Sequence, residues 1–213
     1  MGSLILVRHA TTAASASGRN LGQRGDPPLA DAGLALAASL GKTLAAELAE
    51  LPHDELRAVT SPALRCRQTA NAIGAALGVP AASQEVAPGL LEIDYGEWDG
   101  LTAEECRARD PELRAAWEAD PYETRCPGGE SGADVVRRAF AELAPVESWL
   151  AADRARCAIV VTHNHVIRLR LCELLGWPLR EYRTRLSADP GAYSLVTLGV
   201  GVPAVRRVNA PAG

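Results

Sequence analysis

Three observations predict an α/β protein with a mostly parallel sheet. Two apolar runs, Leu4-Ile5-Leu6-Val7 and Ala158-Ile159-Val160-Val161-Thr162, are continuous rather than alternating. Strands covered on both faces read this way. Between and beyond them, stretches of helical spacing alternate with short strand-like runs, the pattern of successive strand–helix units. Both runs also end in histidine: Arg8-His9 after the first and His163-Asn164-His165 after the second. In open α/β sheets ligands bind beyond the carboxyl ends of the strands. Adjacent parallel strands would therefore bring His9 and His163 together.

Each element follows from a local signal. Residues 10–30 form a long polar loop rich in Ser, Gly and Arg, ending in Asp26-Pro27-Pro28. From Asp31 to Leu51, Leu34, Ala37, Gly41, Leu44, Leu48 and Leu51 keep helical spacing, and Pro52 stops the helix. Leu56–Thr60 is a short strand. Ser61-Pro62 opens a helix, with Ser61 as N-cap and Pro62 at the first helical position. Cys66, Ala70, Ile73 and Leu77 mark its buried face, and Gly78 ends it. A weak strand lies near Ser83–Val86. Residues 88–130 hold Trp98, Trp117 and two short helical stretches, with Thr102-Ala103-Glu104-Glu105 as a capping box. This region reads as a partly helical excursion over the sheet edge, covering part of the site. Ser131 caps the next helix, which Pro145 must kink or break. A helix runs from the second histidine motif to Leu175, with Gly176 and Pro178 after it. Tyr193–Leu198 and Ala204–Val208 read as closing strands, joined near Gly199-Val200-Gly201.

Composition bounds the function. The 213 residues suit one domain spanning 1–213, and 47% hydrophobic with 23% charged residues suits a globular chain. A net charge of -4 argues against nucleic acid as the main partner. No apolar run approaches the ~20 residues of a membrane span, and the N-terminus lacks the basic region of a signal peptide. Five scattered cysteines without a CxxC pair read as reduced thiols of a cytoplasmic protein.

Four segments carry the chemistry: Leu6-Val7-Arg8-His9-Ala10, Ser61 to Ala70 with Arg65, Leu91 to Gly100 with Glu92, and Val161-Thr162-His163-Asn164-His165-Val166-Ile167-Arg168. In this order they resemble the histidine phosphatase superfamily, the phosphoglycerate mutase-like proteins. Pro127-Gly128-Gly129-Glu130-Ser131 resembles a further segment of it. The resemblance, which runs from residue 4 to about residue 176, implies a three-layer α/β/α fold around a mixed, mostly parallel sheet. It implies that His9 is the nucleophile, forming a phosphohistidine, and that Arg8, Arg65 and His163 line the phosphate pocket. Glu92 would be the proton donor. In the phosphatase branch no metal and no organic cofactor takes part.

Elementary chemistry agrees with these roles. Phosphoryl transfer needs in-line positioning and charge on the equatorial oxygens. Two arginines supply bidentate donors, and Arg65 lies in the first turn of a helix, where anions are favoured. His9 must be neutral to attack. A carboxylic acid in an enclosed site can keep the proton that a leaving alkoxide needs.

The chain departs from the family pattern at three places. Asn164 and His165 replace two glycines, and either contact substrate or only start the helix. Ala10 replaces the commoner glycine after His9. Ser15 stands where many members place a phosphate-binding asparagine, so a hydroxyl donor is expected there.

The reading is a metal-independent phosphomonoesterase acting on a small phosphorylated metabolite, nearest the α-ribazole phosphatase and fructose-2,6-bisphosphatase-like branch. A mutase-type phosphoryl transfer and a non-catalytic phospholigand-binding module are the alternatives. A homodimer is compatible with the sequence, and neither nucleic acid nor a membrane is expected as partner. His163 and His165 also form an H-x-H pair, a spacing that on a strand would suit a metal. Taken singly, Arg8 and Arg65 read more readily as surface ion-pair partners than as ligands; the other segments reverse that.

Overall fold

A computed structural model describes residues 2–199 and 201–213. The elements, in chain order, begin with β1 (Gly2–Arg8), α1 (Ala13–Ala16), α2 (Asp31–Ala49), β2 (Glu55–Thr60), α3 (Leu64–Leu77) and β3 (Glu85–Val86). Helices α4 (Ala103–Arg109), α5 (Pro111–Ala119) and α6 (Gly132–Ala152) follow. The chain closes with β4 (Arg156–Thr162), α7 (Asn164–Leu174), α8 (Tyr182–Arg185), β5 (Tyr193–Leu198) and β6 (Ala204–Ala210).

The strands form one mixed sheet in the order β3-β2-β4-β1-β5-β6. The β3–β2, β2–β4 and β4–β1 pairings are parallel; β1–β5 and β5–β6 are antiparallel. The apolar run of β1 serves both faces. Leu4 and Leu6 join one core with Val135, Leu143 and Val166 of α6 and α7. Ile5 and Val7 join the other with Leu40, Leu44, Cys66 and Ile73 of α2 and α3. Period-two alternation within a continuous apolar strand thus builds the three α/β/α layers.

Registry fixes the site. Arg8 pairs with Thr162, and the His9 N–H donates to the Thr162 carbonyl at 3.0 Å. His9 and His163 therefore emerge side by side. Strand β2 ends beside them at Thr60, and the Ser61 N–H bonds to the Val161 carbonyl at 2.9 Å.

Several local expectations change. The loop 10–30 contains α1, capped by a box in which the Thr12 side chain accepts from the Ser15 N–H. Helix α3 starts two residues later than Ser61-Pro62 suggests: Ala63 is its N-cap, with no side-chain bond. Ser61 is freed for another role. Leu34 is exposed, because Gly33, not Leu34, faces inward and lies close against Thr11. Helix α6 is unbroken through Pro145, with Leu143, Val146 and Leu150 buried on either side. The missing proline N–H costs one rung of the helix, and packing holds the rest.

Helix α2 corrects the membrane expectation in one respect: by length and composition it is apolar enough to cross one. In the fold its Leu40, Leu44 and Leu48 are buried in the core shared with α3. Gly41 allows the close approach, since a Cβ there would sit 3.0 Å from the Ala72 carbonyl. The connection expected near Gly199-Val200-Gly201 includes Val200, which lies outside the described residues.

Candidate active site

His9 stands at the carboxyl end of β1, 3% exposed. Its Nδ1 lies 2.8 Å from the Ala10 carbonyl. A carbonyl only accepts, so Nδ1 carries the proton and Nε2 keeps a free lone pair. Burial, then the guanidinium charges of Arg8 and Arg65, push its pKa down to about 3. The ring is neutral at pH 7, as a nucleophile requires. A side-chain chain braces it from behind: the Ala10 N–H donates to Thr69 Oγ1, which donates to the Arg65 carbonyl.

Arg8 and Arg65 flank this ring. Arg8 Nη1 donates to the Ala188 carbonyl at 2.6 Å, which anchors one end of the fork. Arg65, in the first turn of α3, is tied to the Gly22 carbonyl at 3.0 Å and lies 3.6 Å from Asp26. The Nε atoms of both arginines are buried and have no hydrogen-bond partner among the described residues. Desolvated donors of this kind are costly unless a ligand satisfies them.

His163 is fully buried, its ring centroid 5.3 Å from that of His9 in an edge-on arrangement. Its Nε2 lies 2.8 Å from Ser61 Oγ and its Nδ1 3.3 Å from Arg65 Nη2. A guanidinium only donates, so Nδ1 accepts and Nε2–H donates to Ser61. The ring is a brace beneath His9 and Arg65 rather than a wall of the cavity. Burial and the adjacent Arg65 keep its pKa well below the ordinary value.

Glu92 approaches from the opposite side, 4% exposed. Its Oε1 accepts from the Ile93 N–H at 2.9 Å and the His165 N–H at 3.2 Å. Arg138 holds the backbone here: its guanidinium donates to the carbonyls of Gly89, Leu91 and Glu92 and pairs with Glu130 at 2.8 Å. That is the structural use of the Pro127–Ser131 segment. Burial opposes ionisation of Glu92, but the neighbouring His165, His163 and the Ile93 N–H outweigh it and hold the carboxyl below its usual range. Burial likewise suppresses protonation of His165. At neutral pH the pair is a carboxylate and a neutral imidazole.

A cavity of about 260 Å³ opens over these groups, lined by Arg8, His9, Ser15, Glu92 and Asn164 among the expected residues. Arg65, His163 and His165 do not line it. Ser15 reaches the wall, but its hydroxyl donates to the Thr12 carbonyl at 3.0 Å as part of the α1 capping box. Asn164 occupies the first position of α7, with His163 as the N-cap residue, so it does not cap the helix. Its Oδ1 accepts from Arg168 at 3.3 Å.

His165 points away from the cavity into an aromatic box of Tyr95, Trp117 and Tyr182, with ring centroids 5.5, 6.4 and 5.6 Å away. Its Nδ1 is 3.2 Å from Glu92 Oε1, outside hydrogen-bond alignment. The H-x-H pair does not converge: it sits at a helix start, and one ring faces Ser61 while the other faces Glu92. No cluster of three or more metal-ligating side chains occurs among the described residues.

Sequence reasoning missed Tyr95, Arg114 and Arg183, which line the same cavity. Tyr95 lay within the Glu92 segment and Arg114 three residues before Trp117, where burial could have been suspected. Nothing near Arg183 in the sequence signals a site.

The comparisons with known proteins converge on this geometry. Residues 4–211 match the histidine phosphatase superfamily, branch 1. Phosphoserine phosphatase 1 of Hydrogenobacter thermophilus is 30% identical over 92% of this chain and 86% of its own. Glucosyl-3-phosphoglycerate phosphatase of Mycolicibacterium vanbaalenii is 30% identical over 90% of this chain and 89% of its own. The crystal structure of the alpha-ribazole phosphatase from Shigella flexneri superposes with a TM-score of 0.79 at 23% identity, covering 98% of this chain and 96% of that one, and shows the same fold. A match that spans nearly the whole chain, together with the arginines and histidines gathered at the ends of β1, β2 and β4, identifies the protein as a member of the histidine phosphatase superfamily.

Proposed function

We propose that this protein is a metal-independent phosphomonoesterase that hydrolyses a small phosphorylated metabolite through a phosphohistidine on His9. The chain acts as one domain, with residues 88–130 as a partly helical cover over the site. One observation carries the reading: a neutral His9 with a free Nε2 shares the cavity wall with Arg8 and feels the charges of Arg8 and Arg65.

In the first step His9 Nε2 forms a bond to phosphorus as the ester P–O bond breaks. Arg8 holds the equatorial oxygens, and the charge of Arg65, which does not line the cavity, supports them from behind. The leaving alkoxide takes a proton from Glu92. That proton can arrive with the substrate. A phosphomonoester has a second pKa of about 6, and its negative charge beside Glu92 favours protonating the carboxylate. In the second step water attacks phosphorus, the P–N bond breaks, and Glu92 takes the water proton. His9 returns neutral and inorganic phosphate leaves. His163 supports this by fixing Arg65; donation to a phosphoryl oxygen would require it to exchange its Arg65 or Ser61 contact.

The test is a trap. Incubation with ³²P-labelled substrate in EDTA, followed by base quench, should leave an acid-labile, base-stable label on His9. His9→Ala should fold, carry no label and release no phosphate. Normal turnover by folded His9→Ala, or turnover that EDTA abolishes and Zn²⁺ restores, refutes the mechanism. Transfer of the phosphoryl group to a second metabolite in preference to water would favour the mutase reading, and binding without turnover the non-catalytic one.

A further inference from the structure

The cavity over His9 has a second cationic wall. Arg114 comes from α5 and Arg183 from α8, and both guanidiniums pack on the Trp117 ring, 4.5 and 4.3 Å from its centroid. Arg114 is 2% exposed and Arg183 half-buried. Arg114 Nε is paired with Glu118 at 2.8 Å, but its Nη1 is buried with no hydrogen-bond partner. Arg183 Nε is likewise buried and unpartnered among the described residues.

The reacting phosphoryl group does not account for these donors. It already has Arg8 beside His9 on the cavity wall, with the charge of Arg65 acting on His9 from outside it. Arg19, the other arginine on the wall, is satisfied by Glu105 and the Gly100 carbonyl. The only carboxylate lining the cavity among the described residues is Glu92, committed to the Ile93 and His165 amides. A neutral leaving group would leave both guanidiniums on the cavity wall with no counter-charge beyond Glu118. A leaving group ending in an anion would face two cations there. Stacking on Trp117 fixes the two planar forks before binding, which reduces the entropy lost on capture.

We propose that Arg114 and Arg183 form a distal anion subsite, so that the preferred substrate is a phosphomonoester whose leaving group carries a second anionic group, a carboxylate or another phosphate. This deepens the phosphatase reading and rests on it.

Matched substrates test it. 3-Phosphoglycerate and glycerol 3-phosphate differ essentially by a carboxylate in place of a hydroxymethyl group. Propane-1,3-diol bisphosphate and propyl phosphate make the corresponding phosphate arm. Hydrogen bonds to charged groups support a preference of roughly 10–100-fold in kcat/KM for the anionic member of at least one pair. The arm that shows it names the anion. Arg183→Met keeps an apolar stem on Trp117 and should cut that ratio about tenfold, and Arg183→Lys should restore part of it. Ratios near one in both arms, or a ratio untouched by Arg183→Met, overturn the subsite. If Arg183→Met does not fold, the wild-type ratios and Arg183→Lys decide. If none of the four substrates releases phosphate, the phosphatase reading fails instead. Calorimetric binding of 3-phosphoglycerate against glycerol 3-phosphate then still decides the subsite.

Discussion

Glu92→Gln separates the two proton transfers assigned to this carboxyl. The amide can place its oxygen where Oε1 sits, accepting from the Ile93 and His165 N–H groups at 2.9 and 3.2 Å. The loop should hold, because Arg138 anchors its carbonyls independently. The nucleophile should also survive. Glu92 raises the proton affinity of His9, so removing its charge leaves His9 as neutral as before. What is lost is a proton that can be given and taken. For an alkyl phosphate the leaving oxygen is strongly basic, and loss of general acid help should slow the first step by ~10²–10⁴-fold. For p-nitrophenyl phosphate, whose leaving group needs little protonation, the first step should slow less than about tenfold. The second step lacks its base with either substrate. Stopped-flow assays should then show a burst of nitrophenol and accumulation of phosphohistidine on His9. Equal slowing of the burst with both leaving groups refutes the acid role. Asp94 and Glu97 would be poor replacements, since one accepts from the Gly96 N–H and the other pairs with Arg109. The proton would then have to come from the substrate's own phosphate.

Three further outcomes follow from the same contacts. With alkyl phosphates kcat/KM should be flat from just above pH 3, where His9 loses its proton, to about pH 6, and should fall tenfold per unit above it, because the reacting complex needs one proton that the phosphomonoester gives up near that pH; a pH–rate profile flat to pH 8 would contradict it. His165→Gly should lower unfolding free energy by about 2–5 kcal/mol, since it empties the aromatic box; its catalytic loss should track leaving-group basicity, not substrate shape, and a change in shape selectivity alone would place the ring in the cavity. Ser61→Ala should leave His163 Nε2–H with only the Cys66 sulfur at 3.4 Å and cost about 1–3 kcal/mol in urea titrations, with no loss meaning that the sulfur suffices as partner.

What was legible in the sequence was what repeats locally or stays close in number. The apolar runs of β1 and β4 announced buried parallel strands, and their terminal histidines meet because registry carries Arg8 to Thr162. Capping signals worked where the side chain had one task, as at Thr102 and Ser131. They failed where tertiary structure claimed it: Ser61 looks like an N-cap but bonds to a histidine 102 residues away. His165 shows the same limit. Its spacing from His163 suggested a chelate or a substrate contact, yet the turn into α7 sends its ring behind the wall, onto Glu92.

The same reasoning explains why the residues proposed to react were readable and the second cationic wall of the cavity was not. Arg8, His9, Arg65 and Glu92 each adjoin a strand end or helix start, so local sequence fixes their positions. Arg183 lies in a single turn beyond α7 and meets Trp117, 66 residues earlier in number, only after the 88–130 excursion has folded over the sheet. Pairing across such a distance leaves no periodicity in either partner. The residues proposed to set leaving-group choice therefore come from segments that can change without disturbing the strand ends that hold His9, and a scaffold of this kind can keep its chemistry at the strand ends while its substrates change.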